Sequence, residues 1–222
     1  MGHTDSVNTA TRMTRREQKE RTRVALLDAA LRLLEHKSFG SLGLREVARE
    51  AGVVPTAFYR HFDSMEALGL ALIDDSFRAL RRMIRDARAQ DLAFEHVIHD
   101  SVEILVRHVH AHHLHFRFVA RERSSGMPVL RRAIRAEIRL FSSELSTDLA
   151  RFPFLDRWST EDLGVLATLI VNTMVSTAEE IVEAPPGDPE AEREVVRRAE
   201  KQLLLIALGV PQWRSAGADS PG

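Results

Sequence analysis

Apolar positions recur at helical spacing from residue 24 almost to the end of the chain, and polar or glycine–proline punctuation separates the runs. Val24, Leu27, Ala30, Leu31 and Leu34 share one face of a first helix. Leu44, Val47, Ala48 and Ala51 do the same over a short segment, and Gly52 follows where that segment must turn. Pro55 suits the first turn of a new helix, where its missing N–H costs nothing. Ser64 is a good N-cap for a long helix reaching to about Arg88. Leu68, Leu72, Phe77, Leu80 and Ile84 give that helix a buried stripe, and Arg78, Arg81, Arg82 and Arg85 a wet face. Further helical patterns cover about Leu92 to His112, His113 to Arg123, Pro128 to Phe152, Thr160 to Val182 and Pro189 to Leu208. Breaks fall at Ser124-Ser125-Gly126, at Pro153 and at Pro185-Pro186-Gly187, and no run reads as a strand or a repeat. The pattern predicts an all-α chain: a three-helix N-terminal head over residues 13–62 on a larger helical body over residues 63–210. The unpatterned ends, residues 1–12 and 211–222, are expected to be disordered tails.

The segment from Leu44 to Phe62, LREVAREAGVVPTAFYRHF, has the form helix, tight turn, helix. Its second helix carries Thr56, Tyr59, Arg60 and His61, a dense polar and aromatic set. A helix-turn-helix lays its second helix in a DNA major groove and crosses the backbone with its first. A surface helical hairpin is the other reading of the same pattern. On the helix-turn-helix reading, Arg45 starts the first helix within reach of a phosphate or a base edge. Pro55, Thr56 and Ala57 sit at the N-terminal end of the recognition helix, and Thr56 and Ala57 suit thymine methyl groups. Phe58 and Phe62 are expected in the core.

Charge sharpens this picture. The net charge is −1, yet residues 1–62 hold eleven Lys and Arg against seven Asp and Glu. The excess of positive charge therefore lies at the end that carries the helix-turn-helix, as expected if only that end meets phosphate. Arg12, Arg15, Arg16, Lys19, Arg21 and Arg23 form a basic arm there, read either as a solvated helix start or as a phosphate-contacting extension. There is no cysteine, which removes disulfides, thiolate metal sites and cysteine nucleophiles. No apolar run approaches the roughly 20 residues of a membrane helix, and the N-terminus has no apolar core like that of a signal peptide. A cytoplasmic location is expected.

The motif, the helix before it and its YRHF ending resemble the N-terminal domain of TetR-type transcriptional regulators, over roughly Arg15 to Ile73. The wording is closer to the fatty-acid-synthesis regulators of the FabR, DesT and FasR type. These share LREVAREAG, PTAFYRHF, the step Leu68-Gly69-Leu70 and a segment Arg121-Glu122-Arg123-Ser124. That resemblance extends more weakly to about residue 140. It implies that Tyr59 and His61 hold backbone phosphates, with Arg60 shared between groove and phosphate. Three positions depart from the common TetR pattern: Gly43 and Val54 stand where a capping hydroxyl is usual, and Met65 where many relatives carry a lysine.

The body is rich in apolar residues, notably Leu105, Val109, Phe116, Phe118, Val119, Phe141, Leu145, Leu166, Ile170, Val171 and Met174. Most are expected to be core. The resemblance implies a tunnel among them that accepts an acyl chain, with Arg121, Arg123, Ser124 and Ser125 near the head group of a long-chain acyl-CoA effector. Surface pairing of Arg121 and Arg123 with Glu122 or Glu137 is the alternative. His108, His110, His112, His113 and His115 crowd into eight residues, but no carboxylate completes a metal motif, so no metal is expected. No nucleophile–base set or phosphate-cradling glycine loop stands out, so an enzyme is not expected and no cofactor is implied.

Leu163, Leu166, Ile170, Val171, Met174, Ala178, Ile181, Val195, Ala199, Leu203 and Ile206 of the last two helices are read either as core within the chain or as the seam of a homodimer. A two-fold dimer matches a palindromic double-stranded DNA operator. The expectation is a ligand-responsive regulator of lipid or fatty-acid synthesis genes, repressor or activator. A regulator answering a drug or aromatic compound and a helical lipid carrier are the alternatives.

Overall fold

Side chains of Thr14, Ser64, Ser159 and Asp188 cap four of the helices, and core packing places the others. The structure, a computed structural model, describes residues 14–89, 96–124, 127–185 and 187–215. The tail expected over residues 1–12 lies outside the described residues. Helix α1 (Arg15–Leu34) opens on a capping box: the Glu17 N–H donates to Thr14 Oγ1 at 3.2 Å, and the Thr14 N–H to Glu17 Oε2 at 2.7 Å. A 3-10 turn over Phe39–Ser41 leads to α2 (Leu44–Glu50) and α3 (Pro55–Phe58). Helix α4 (Met65–Ala89) starts where the Ala67 N–H donates to Ser64 Oγ at 3.1 Å, the cap expected at that serine. The body continues with α5 (Val97–Ala111), α6 (His113–Arg123), α7 (Pro128–Leu149), α8 (Thr160–Glu183) and α9 (Pro189–Gly209). No strand occurs among the described residues. The fold is all-α, a three-helix head on a helical body.

The main core does not respect the boundary between head and body. Leu26, Leu31, Phe39, Val47, Phe58 and Phe62 of the head are buried in one continuous cluster with Leu68, Leu72 and Phe77 of α4, Phe118 of α6, and Leu130 and Ile134 of α7. Gly69 lies at the centre of this seam. A Cβ there would stand 2.7 Å from Phe39 Cζ and 2.9 Å from Leu130 Cδ2. The glycine of the Leu-Gly-Leu step thus lets the aromatic ring of the head and a leucine of α7 close over α4. A separate, smaller core joins α5, α8 and α9 through Val102, Leu105, Val109, Ala178, Ile181, Val195, Ala199 and Leu203.

Of the tail expected over residues 211–222, residues 211–215 are described and ordered, and residues 216–222 lie outside the described residues. Val210–Gln212 forms a 3-10 turn, and Ser215 is buried. Its hydroxyl accepts from the Ser159 N–H at 2.7 Å and lies 2.6 Å from Asp162 Oδ2, which ties the chain end to the start of α8. No hydrophobic period marks such a contact, so the pattern could not announce it. Helix α8 also meets the length and composition of a membrane span, with a mean hydropathy of 1.4 over its best 18 residues. Thr168, Asn172, Thr173, Ser176 and Thr177 interrupt it, and its face of Leu163, Leu166, Ala167, Ala178 and Ile181 is buried within the chain, as in a core helix.

Candidate nucleic-acid interface

The turn between α2 and α3 has the geometry that its glycine permits. Gly52 takes φ = 68°, and the Val53 N–H donates to the Ala48 carbonyl at 2.9 Å while the Gly52 N–H donates to that of Arg49 at 3.1 Å. These two bonds terminate α2 and free Pro55 to begin α3. Helix α3 is shorter than the sequence pattern implies. Regular helix ends at Phe58, and turns carry the chain on, with the His61 and Phe62 N–H groups both donating to the Phe58 carbonyl. Phe58, fully buried, and Phe62 anchor the unit with their rings 5.6 Å apart. Burying one such side chain is worth about 1.5–3 kcal/mol. Between these anchors the other side chains have to point outward.

Arg45, Pro55, Thr56, Tyr59 and Arg60 are all exposed, Ala57 is half-buried, and Val54 stands exposed beside them. Tyr59 is 60% exposed, although its ring meets that of Phe58 edge-on at 5.9 Å. Exposure of a tyrosine just past the end of α3 leaves its hydroxyl free for a partner. The acids of α2 are held away: Glu46 pairs with Lys37, whose ammonium draws its carboxyl below the usual range, and Glu50 pairs with Arg32 at 3.0 Å. The outward face of α2 and α3 is thus left short of competing negative charge.

His61 behaves differently from its neighbours. It is half-buried, its Nδ1 is buried without a hydrogen-bond partner, and burial pushes its pKa below the ordinary histidine value, with Lys19 and Arg23 adding to the effect. It faces a cleft of about 380 Å³ formed by Arg16, Lys19, Glu20 and Arg23 of α1 together with Arg60 and His61. The Arg23 guanidinium also lies over the Phe62 ring, 5.6 Å from its centroid. The basic arm is thus no detached charge run. From Arg15 onward it lies in α1, with Arg12 outside the described residues, and Arg16, Lys19 and Arg23 join Arg60 and His61 in one cationic recess. Four cations against one carboxylate, next to a buried orphan nitrogen, make a setting for a phosphate oxygen.

The candidate ligand residues of the body spread over several sites. Leu105, Val109, Phe116 and Met174 come together between α5, α6 and α8, and Ile170 joins Met174 against the second part of that core. Phe118 and Phe141 belong to the main core, Leu166 packs with Leu155 and Leu163 near the start of α8, and Leu145 and Val171 are half-buried. The two arginines part company. Arg121 donates to the carbonyls of Leu34 and Lys37 at 3.0 and 3.4 Å, bracing the end of α1, whereas Arg123 Nη1 donates to both oxygens of Glu179 on α8 at 2.7 Å. Between them, Glu122 is buried: its Oε1 accepts from the Phe39 N–H at 3.4 Å and its Oε2 has no partner. Glu137 pairs with Arg81 instead.

The histidines stitch helices together. His99 Nδ1 meets Glu200 at 2.7 Å and His110 Nε2 meets Glu192 at 2.9 Å, both joining α5 to α9. The His108, His112 and His115 rings follow one another with centroids 5.9 and 6.2 Å apart. The buried Ser76 hydroxyl donates to the Leu72 carbonyl and so accepts from His115 Nδ1 at 2.9 Å. No three ligating side chains converge among the described residues.

Residues 26–72 match the profile of "Bacterial regulatory proteins, tetR family". Most of the chain resembles solved structures of regulators. One is the transcriptional regulator FadR from Bacillus subtilis in complex with stearoyl-CoA, at 15% identity and a TM-score of 0.65, covering 84% of this chain and 98% of that one. A second is a putative TetR-family regulator from Mesorhizobium loti, at 14% identity and a TM-score of 0.65, covering 88% and 98%. A third is AibR in complex with isovaleryl coenzyme A and operator DNA, at 16% identity and a TM-score of 0.57, covering 81% and 96%. At these identities the likeness is one of fold.

Proposed function

We propose, for a chain whose N-terminal domain belongs to the tetR family of bacterial regulatory proteins and whose body shares their fold, that it is a homodimeric, ligand-responsive DNA-binding regulator of lipid genes, with fatty-acid synthesis genes as its targets and a long-chain acyl-CoA as its effector. The observation that carries the DNA-binding part is the exposure of Arg45, Thr56, Tyr59 and Arg60 around the helix-turn-helix, with Arg60 and His61 lining a cationic cleft shared with α1. Base edges would be read at the N-terminal end of α3, while Tyr59, His61 and the α1 cations would hold phosphates on either side.

The dimer is proposed through α8 and α9, on the apolar face that the chain does not bury itself. Leu163, Leu166, Ala178, Ile181, Val195, Ala199 and Leu203 are buried inside the single chain, and Ile170, Met174 and Ile206 pack against the same cores. The free apolar face consists of Val165 and Leu169 on α8 and Leu204, Leu205 and Leu208 on α9, each about half or more exposed. Such a set supports a two-fold seam that would set two recognition units about 34–36 Å apart. The effector is supported by the acyl-CoA esters bound to proteins of this fold, FadR and AibR, and by the sequence segments shared with the fatty-acid-synthesis regulators. Ligand and DNA would each favour one spacing of the two heads, so the coupling is reciprocal.

A titration of the purified chain on DNA from upstream of its own gene, with and without palmitoyl-CoA, tests the whole reading. Specific binding that palmitoyl-CoA changes at least fivefold is expected. Specific binding that ignores palmitoyl-CoA would remove the lipid effector and favour a drug or aromatic ligand. Palmitoyl-CoA binding by a chain that binds no genomic fragment specifically would favour a lipid carrier.

A further inference from the structure

Helix α7 segregates its charges. Glu137 and Glu144 face α4, where Arg81 takes both at 2.5 and 3.7 Å. Arg131, Arg132, Arg135 and Arg139 lie on another face of the same helix, within about a third of its circumference by helical spacing. Two of these, Arg135 and Arg139, line a cleft of about 500 Å³ with Arg123 and Ser124 at the end of α6, Ile138 of α7 and Asn172 of α8. Glu179 holds Arg123 in place and offsets one positive charge. Among the described residues neither Arg135 nor Arg139 has a carboxylate within ion-pair distance, so the cleft keeps a surplus of two positive charges.

We propose that this cleft binds the phosphate groups of a small phosphorylated ligand of nucleotide or coenzyme type. Three guanidinium forks around one recess suit phosphate oxygens, each fork offering paired N–H donors. A single carboxylate would leave one of the two uncompensated cations unmatched, whereas a phosphate dianion or a diphosphate matches both. Asn172 and the Ser124 hydroxyl add neutral donors, and Ile138 supplies apolar surface for the rest of the ligand. None of the lining residues belongs to the head, which distinguishes the cleft from the surface assigned to DNA. The cleft also moves the head-group contacts expected at Arg121 and Arg123 to Arg123, Arg135 and Arg139, since Arg121 braces α1. For its regulatory consequence the inference rests on the effector reading above; binding of the anion does not depend on it.

The test is calorimetric titration of the full chain with coenzyme A carrying a free thiol, and separately with inorganic pyrophosphate, at low salt. The wild-type chain and the double variant Arg135→Gln/Arg139→Gln are compared, with Arg135→Lys/Arg139→Lys as the conservative control. Coenzyme A is expected to bind the wild-type chain and to bind the glutamine variant at least tenfold more weakly. The lysine variant should fall between, and helicity and operator affinity should be unchanged. Pyrophosphate competing with coenzyme A would place recognition in the phosphates themselves. Equal affinities in wild type and glutamine variant, or no coenzyme A binding by the wild type, would overturn the proposal. So would a glutamine variant that loses its dimer but keeps its affinity, because the cleft would then face a second copy. If palmitoyl-CoA releases DNA from the glutamine variant as well as from the wild type, this inference fails and the effector reading stands. If coenzyme A binds through these arginines but DNA binding ignores palmitoyl-CoA, the effector reading fails and the cleft stands.

Discussion

Two aromatic side chains, Phe58 and Phe62, anchor the recognition unit and leave Tyr59 and Arg60 between them exposed. Arg60 is exposed and lines the cationic cleft, so Arg60→Ala should weaken operator binding by about 1–3 kcal/mol and, if it meets a phosphate, reduce the slope of log affinity against log salt by about one. An unchanged affinity at fixed salt would take Arg60 out of the interface. His61 sets a pH dependence. In the free chain burial holds its pKa below 6.5, and a phosphate seated in the cleft would raise it. The bound state then takes up protons, so operator affinity should increase as pH falls through about 6.5 and below. The free fold responds in the opposite sense: it binds fewer protons at His61 than the unfolded chain does, so acidification through the same range lowers its stability. His61→Gln should flatten both trends, and a pH profile of operator binding that survives this change would assign the proton elsewhere. At this scale the division into buried anchors and exposed side chains was legible, because helical spacing separates Phe58 and Phe62 from Thr56, Tyr59 and Arg60. The meeting of Arg16, Lys19 and Arg23 with Arg60 and His61 was not. It depends on how α1 crosses the recognition unit, and no local spacing encodes a crossing.

Among the elements, α4 and α6 carry the join between head and body. Gly69 was visible in the sequence only as part of a shared Leu-Gly-Leu step. Its physical reason is the approach of Phe39 and Leu130, both nearly inaccessible to solvent. Gly69→Ala gains up to about 1 kcal/mol of helix propensity. It also forces a methyl group against two confined side chains, and overpacking of this kind costs about 1–3 kcal/mol. Overpacking should win, with a net loss of about 1 kcal/mol read by denaturant unfolding; a variant as stable as the wild type would show that the two side chains can move aside. Helix ends were legible where a side chain or glycine fixes them, as at Ser64, Gly52 and Pro128. The expected span of α7 to Phe152 overshot the observed end at Leu149, because apolar Phe152 continues the pattern while the backbone has already turned. The brace from Arg121 to the α1 carbonyls and the buried Glu122 were invisible in sequence, where an Arg-Glu-Arg run reads as a surface pair or a head-group site.

For the molecule as a whole, the sequence left the apolar residues of the last two helices open between internal core and dimer seam. An apolar period cannot say whether a stripe is buried by its own chain or by a second copy. In α8 and α9 the chain itself buries Leu163, Leu166, Ala178, Ile181, Val195, Ala199 and Leu203, which settles those positions as internal core. Leu169→Glu combined with Leu205→Glu places charge on the free face and touches no residue of the internal cores. The variant should keep its helicity, sediment as a monomer and lose cooperative operator binding; a variant that remains dimeric would put the seam elsewhere. Charge segregation works at the same scale. The excess of positive charge in residues 1–62 predicts which end meets DNA, while the cationic cleft on α7 depends on which helix face the acids occupy.

The most direct test of DNA recognition is a footprint on genomic fragments selected by the purified chain, repeated with Tyr59→Ala. The account predicts a protected site of two-fold symmetry, with half-sites one helical turn or a multiple of it apart, and at least tenfold weaker protection by the variant. Protection without symmetry, equal protection by the variant, or no fragment selected above background would contradict it.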